Sequence, residues 1–156
     1  MKLGTPRMMM TALVVFCALA VADQRETQGS PNAFHPTPAA WPVVTNLPRA
    51  EAKPTVLMFV RADDATGTAK IAELGKIVSD ARTAPFVAIV QVGTEVPTAL
   101  WDAAGRIPRT ARLLDKAGVE ARRFGAVSTG QVVVYAADGT LRYTGAPTEQ
   151  LRLALR

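Results

Sequence analysis

The sequence predicts an α/β fold: a central mixed sheet flanked by helices, completed by a C-terminal β-hairpin and a last helix. Three observations carry this. Val56 to Val60 and Phe86 to Val92 are nearly continuous apolar runs of strand length, as expected of parallel strands covered on both faces. Between them Ile71, Leu74, Val78 and Ala81 recur at three- and four-residue intervals, one buried stripe of a helix over Lys70 to Arg82. Near the end, Gln131 to Tyr135 and Leu141 to Thr144 flank Ala137-Asp138-Gly139, whose Asp-Gly pair marks a tight hairpin.

The first two runs and their helix form a βαβ unit, whose crossover is expected to be right-handed. Pro97 suits the first turn of a short helix carrying Leu100 and Trp101, which Gly105 ends. Ala111 to Leu114 is a short third strand, and Val119 to Phe124 a short helix stopped by Gly125. After the hairpin, Pro147 and Thr148 open a terminal helix with Leu151 and Leu155 on one face.

Upstream the pattern is different. The chain has 156 residues, about half apolar, enough for one domain of roughly 100 residues with a real core. Met8 to Ala22 is apolar except for Thr11; Lys2 and Arg7 precede it, and Ala20-Val21-Ala22 closes it. Two readings fit, a secretory signal peptide over 1–22 or a retained membrane anchor. The length favours the first, because about 15 helical residues span only some 22 Å of a ~30 Å hydrocarbon layer. Both place the folded part outside the cytoplasm, in the periplasm or cell envelope. Cys17, the only cysteine, lies in this run, and Phe16 before it argues against a lipidation site. Cleavage after Ala22 would leave a cysteine-free chain with no internal disulfide and lower the formal charge from +5 to +3.

Residues 23–50 read as a proline-rich linker, with Pro31, Pro36, Pro38, Pro42 and Pro48 among polar residues and no periodicity. Within it, Trp41-Pro42-Val43-Val44 either packs on the domain edge or stays exposed, and His35, the only histidine, is expected to be solvated. The domain proper is then 51–156.

Several chemistries are excluded. One linker histidine supports no Ser-His-acid arrangement. Asp63 and Asp64 have no His, Cys or Glu nearby to complete a metal set, and there is no phosphate-binding Gly-rich loop, so neither a metal nor a cofactor is expected. The basic residues Arg106, Arg109, Arg112, Lys116, Arg122 and Arg123 are interrupted by Asp115 and Glu120, a solvated face rather than a nucleic-acid site.

Trp41-Pro42, Pro54 to Val60, Ala72-Glu73-Leu74, Ala121 to Ala126, Gly130 to Tyr135 and Asp138 to Leu141 follow one another in an order and spacing that resembles the thioredoxin-like superfamily. Within its exported branch, which inserts a helix and a strand mid-chain, the sequence is most similar to bacterial RedB-type thioredoxin-like proteins. That resemblance implies a thioredoxin-like fold and a redox turn after the first strand. Where RedB-type proteins show His-Pro-x-Cys-Pro-Cys, this chain reads Arg61-Ala62-Asp63-Asp64-Ala65-Thr66, so Asp64 and Thr66 stand at the cysteine positions. Neither a carboxylate nor a hydroxyl replaces a thiolate in disulfide exchange, and no catalytic residue is expected. Asp63, Asp64, Thr66 and Thr68 all suit a helix N-cap, and that alone accounts for them; the alternative is that the carboxylates bind a cation or a basic partner. Ser128-Thr129-Gly130 falls where the superfamily's cis-proline loop lines the substrate groove. Gly145 to Thr148 shortens a region that in RedB-type proteins carries Gly-Gly-x-Thr and Arg-Gly-His.

The resulting expectation is a non-catalytic binding or assembly module of the cell envelope, holding an envelope protein or extended peptide in the groove. Its membrane contact would be limited to Met8 to Ala22 if that segment is uncleaved. The alternative is a thiol-disulfide oxidoreductase or accessory of RedB type acting through a partner.

Overall fold

The computed structural model describes residues 36–95 and 97–156. Among them the chain runs β1 (Thr55–Arg61), α1 (Gly67–Ser79), β2 (Phe86–Val92), α2 (Thr98–Gly105), β3 (Thr110–Asp115), α3 (Val119–Arg123), β4 (Gln131–Tyr135), β5 (Leu141–Gly145) and α4 (Glu149–Ala154). The strands form one sheet in the order β3-β2-β1-β4-β5. β1, β2 and β3 are parallel; β4 runs antiparallel to β1, and β5 antiparallel to β4.

β1 takes the centre, with six of its seven residues buried. Val56, Met58 and Val60 meet the α1 stripe of Ile71, Leu74, Ile77 and Val78, together with Leu100 of α2 and Leu151 beside it. Leu57 and Phe59 point the other way, into a cluster with Phe124, Val133 and Tyr135. β5, at the sheet edge, alternates half-buried and exposed residues. α1 begins at Gly67 and ends at Ser79, three residues earlier at each end than the apolar stripe implies.

Residues 36–50 are not a free linker. Trp41 sits edge-on to Phe124 at 5.3 Å and to Tyr135 at 5.2 Å between ring centroids. Its backbone N–H donates to the Gly139 carbonyl (2.7 Å), and Leu141 N–H donates to the Ala39 carbonyl (2.8 Å). Leu47 is buried in the same cluster, whereas Val43 and Val44 remain exposed. An exposed aromatic surface on this side of the sheet requires a cover, and the segment supplies it. Met8 to Ala22, Cys17 and His35 lie outside the described residues.

Candidate functional site

Sheet register decides which loops meet. Arg61 pairs with Val92 at the carboxyl end of β1, and Phe59 pairs with Gln131 at the start of β4. The turn leaving β1 and the loop entering β4 therefore lie side by side, at the carboxyl end of the parallel strands, where open α/β folds place their sites. Three hydrogen bonds hold the loop. Gly130 N–H donates to the Phe59 carbonyl (2.7 Å), Arg61 N–H to the Thr129 hydroxyl (3.3 Å), and Lys70 Nζ to the Thr129 carbonyl (2.7 Å).

In the turn, Asp64 and Thr66 bind each other. Asp64 Oδ1 accepts from the Thr66 hydroxyl (2.6 Å) and the Thr66 backbone N–H (2.8 Å). The Thr66 hydroxyl, then its N–H, hold the Asp64 carboxyl below the usual range; the Thr129 hydroxyl and the Lys70 charge add to this against slight burial. The expected capping is only partly present. Asp64 captures an N–H at the start of the helix, but Thr66, the residue preceding α1, makes no side-chain cap. Asp63 is diverted to Arg61, whose Nε and Nη2 donate to its two oxygens at 3.1 and 3.3 Å. That guanidinium lowers the Asp63 carboxyl from its ordinary value. The two neighbouring carboxylates thus serve different partners, and among the described residues no three His, Cys, Asp or Glu converge as a metal set.

Ser128, Thr129 and Gly130 form the adjoining loop. Gly130 has φ +79°, a region costly for any residue with a Cβ, and a Cβ there would lie 2.1 Å from Lys70 Cδ. The unusual backbone expected of this loop is therefore present, and it fits against the Lys70 stem. On the other side of Arg61, a cavity of about 140 Å³ opens between the carboxyl ends of the strands and the 126–128 loop.

The basic residues are not one patch. Arg112 Nη1 donates to the Trp101 carbonyl on the α2 side of the sheet, while Arg122 Nη1 donates to the Ala117 carbonyl and Arg123 pairs with Glu120 on α3. α2 and α3 pack on opposite faces.

The two carboxylates that interrupt the basic residues, Asp115 and Glu120, are structural. Buried Asp115 accepts from the Val119 N–H (2.8 Å) and the Ala121 N–H (2.9 Å), capping α3; an Asp just ahead of an apolar helical stretch is the signal that could have shown it. Glu120 accepts from the Thr45 hydroxyl (2.6 Å) and the Asn46 N–H (3.4 Å), anchoring the N-terminal segment, and no local signal marks that contact. Burial opposes its ionisation, but Thr45, Arg123 and Asn46 outweigh burial and hold the carboxyl below the ordinary glutamate range. Because the folded pKa lies below the unfolded one, this stabilisation is full above about pH 4.3 and is lost as pH falls through the folded value. Melting temperatures measured against pH should show a shallower acid-side decline for Glu120→Gln than for the parent chain. An unchanged slope would contradict this anchoring role.

No helix among the described residues is long and apolar enough to cross a membrane. No family model and no curated protein matches the chain. Solved structures do resemble it. A thioredoxin-like protein from Aeropyrum pernix is 14% identical with a TM-score of 0.54, over 67% of this chain and 75% of that one. DsbF of MTB, solved in mixed oxidised and reduced forms, is 18% identical with a TM-score of 0.54, over 67% and 79%. The N-terminal domain of PilB from N. meningitidis, in its reduced form, is 18% identical with a TM-score of 0.51, over 69% and 81%. With its mixed five-stranded sheet flanked by helices, the described domain has the thioredoxin-like fold.

Proposed function

We propose that this chain is an exported thioredoxin-like protein of RedB type that has lost the redox pair and acts as a binding or assembly module of the cell envelope. The surface formed by Arg61–Thr66 and Ser128–Gly130 holds an extended segment of an envelope protein without redox turnover. The observation that carries this reading is the direct hydrogen bonding of Asp64 to Thr66 at the turn feeding α1, beside the Thr129-Gly130 loop. Disulfide exchange needs an attacking thiolate, and the only cysteine in the sequence, Cys17, precedes the domain in the apolar segment read as an export signal. The Thr129-Gly130 loop supports the binding half of the reading, because its bonds to Phe59, Arg61 and Lys70 order it before a partner arrives.

The reading is tested by dithiol-dependent insulin reduction with the full chain. No turnover above the dithiol alone is expected, and measurable turnover overturns it in favour of an oxidoreductase.

A further inference from the structure

We propose that the cavity beside Arg61 selects an acidic side chain, aspartate or glutamate, in the bound segment; this rests on the peptide-binding reading above. The cavity is small. At about 140 Å³ it is well below the ~300 Å³ at which small-molecule sites begin, so it suits one side chain of a larger partner rather than a cofactor.

Its lining sets the chemistry. Phe59, Val92 and Ala121 contribute apolar surface, Val127 forms an exposed apolar rim, and two arginines, Arg61 and Arg122, line the same space. No carboxylate lies among the described lining residues. Arg61 has a counter-charge in Asp63, but a neutral side chain entering here would leave Arg122 with no carboxylate partner among the described residues. A carboxylate would accept charge-assisted hydrogen bonds from planar donors suited to it.

Each arginine has a partner of its own and donors to spare. Arg122 Nη1 is tied to the Ala117 carbonyl at 2.9 Å and rests over Gly118, where a Cβ would come within 3.3 Å of it; Nε and Nη2 are left to a guest. Arg61 gives Nε and Nη2 to Asp63 and retains Nη1. The rim is fixed too, since Gln131 Oε1 accepts from the Val127 N–H (2.9 Å) and Gln131 Nε2 donates to the Gly125 carbonyl (3.0 Å). A site built before its ligand arrives spares the cost of ordering it. The guest is therefore an extended peptide with an acidic residue in the cavity and an apolar neighbour against Val127.

The experiment is selection of randomised displayed peptides on the full chain, followed by affinity measurements with a selected synthetic peptide and its Glu→Gln or Asp→Asn counterpart. Acidic residues should be enriched at one position, and the neutral counterpart should bind at least about tenfold more weakly, as should the acidic peptide to Arg122→Gln. The peptide exchange uses the unmodified chain, so it decides the matter even if Arg122→Gln folds poorly. Selected peptides with no acidic position, or equal affinity for the neutral counterpart, overturn the acidic selectivity and leave the binding-module reading standing. No selected peptide at all overturns both.

Discussion

Replacing Trp41 with alanine is expected to lower the unfolding free energy by about 3 kcal/mol, the lower end of the range for removing a large aromatic side chain, because Trp41 is half-buried rather than fully enclosed. Its ring closes a cluster in which Phe124 and Tyr135 also meet edge-on, with 6.0 Å between centroids. Such contacts add to simple area burial. The loss would spread, since Tyr135 donates its hydroxyl to the Pro38 carbonyl (2.9 Å), and burial has pushed that phenol up to about 12. Denaturant titration measures the effect. Trp41→Ala and Phe124→Ala should be less than additive, because each removes the other's partner. A loss below about 1 kcal/mol would mean that residues 36–50 only rest on the sheet and stabilise it little.

The second large effect is expected at Gly130. Alanine there must adopt a left-handed backbone, costing roughly 1–2 kcal/mol, and its methyl group collides with the Lys70 stem. Displacing Lys70 also breaks its bond to the Thr129 carbonyl. A total of about 2–3 kcal/mol follows when the strain and this bond are combined. Adding Lys70→Ala removes the collision but neither relieves the strain nor restores the lost Thr129 bond, so the double variant should recover little of the lost stability in the same titration. A neutral Gly130→Ala would show that the loop relaxes without cost, and the close fit of the two elements would then have no energetic weight.

How far the fold can be read in the sequence depends on the range of the forces that make each element. β2 and β4 begin and end where their apolar runs do, since burial on both faces keeps the runs apolar, with the fully buried Gln91 of β2 as the exception. The Asp138-Gly139 turn is equally local: Asp138 accepts from the Thr140 N–H (2.8 Å), and Gly139 takes φ +88°. α1 is displaced because Gly67 carries no side chain to mark the stripe, yet sits buried against Leu100. The N-terminal segment is the least legible in the sequence. Its partners Phe124, Tyr135 and Glu120 come from much later in the chain, and prolines with scattered polar residues look the same in a linker as in a strap that packs. The site divides the same way. Asp64 and Thr66 are two residues apart and stand out in the turn, whereas the approach of Thr129 to Arg61 depends on the pairing of β1 with β4, which no short window contains.

Under the proposed function, the turn from Arg61 to Thr68 stands at the redox turn of the fold and has exchanged its chemistry in place. The most direct measurement compares dithiol-dependent insulin reduction by the native chain with that of a chain carrying Asp64→Cys and Thr66→Cys, with Cys17→Ser in both to remove the remaining thiol. Thiols at these positions would lie at the start of α1, where unpaired backbone N–H groups lower a thiol pKa. Losing the bonds between Asp64 and Thr66 should cost only about 1 kcal/mol, so the variant should stay folded by circular dichroism. No turnover by the native chain and gain of turnover by the folded variant is the predicted result. Turnover by the native chain, an unfolded variant, or a folded variant that stays inert would contradict it.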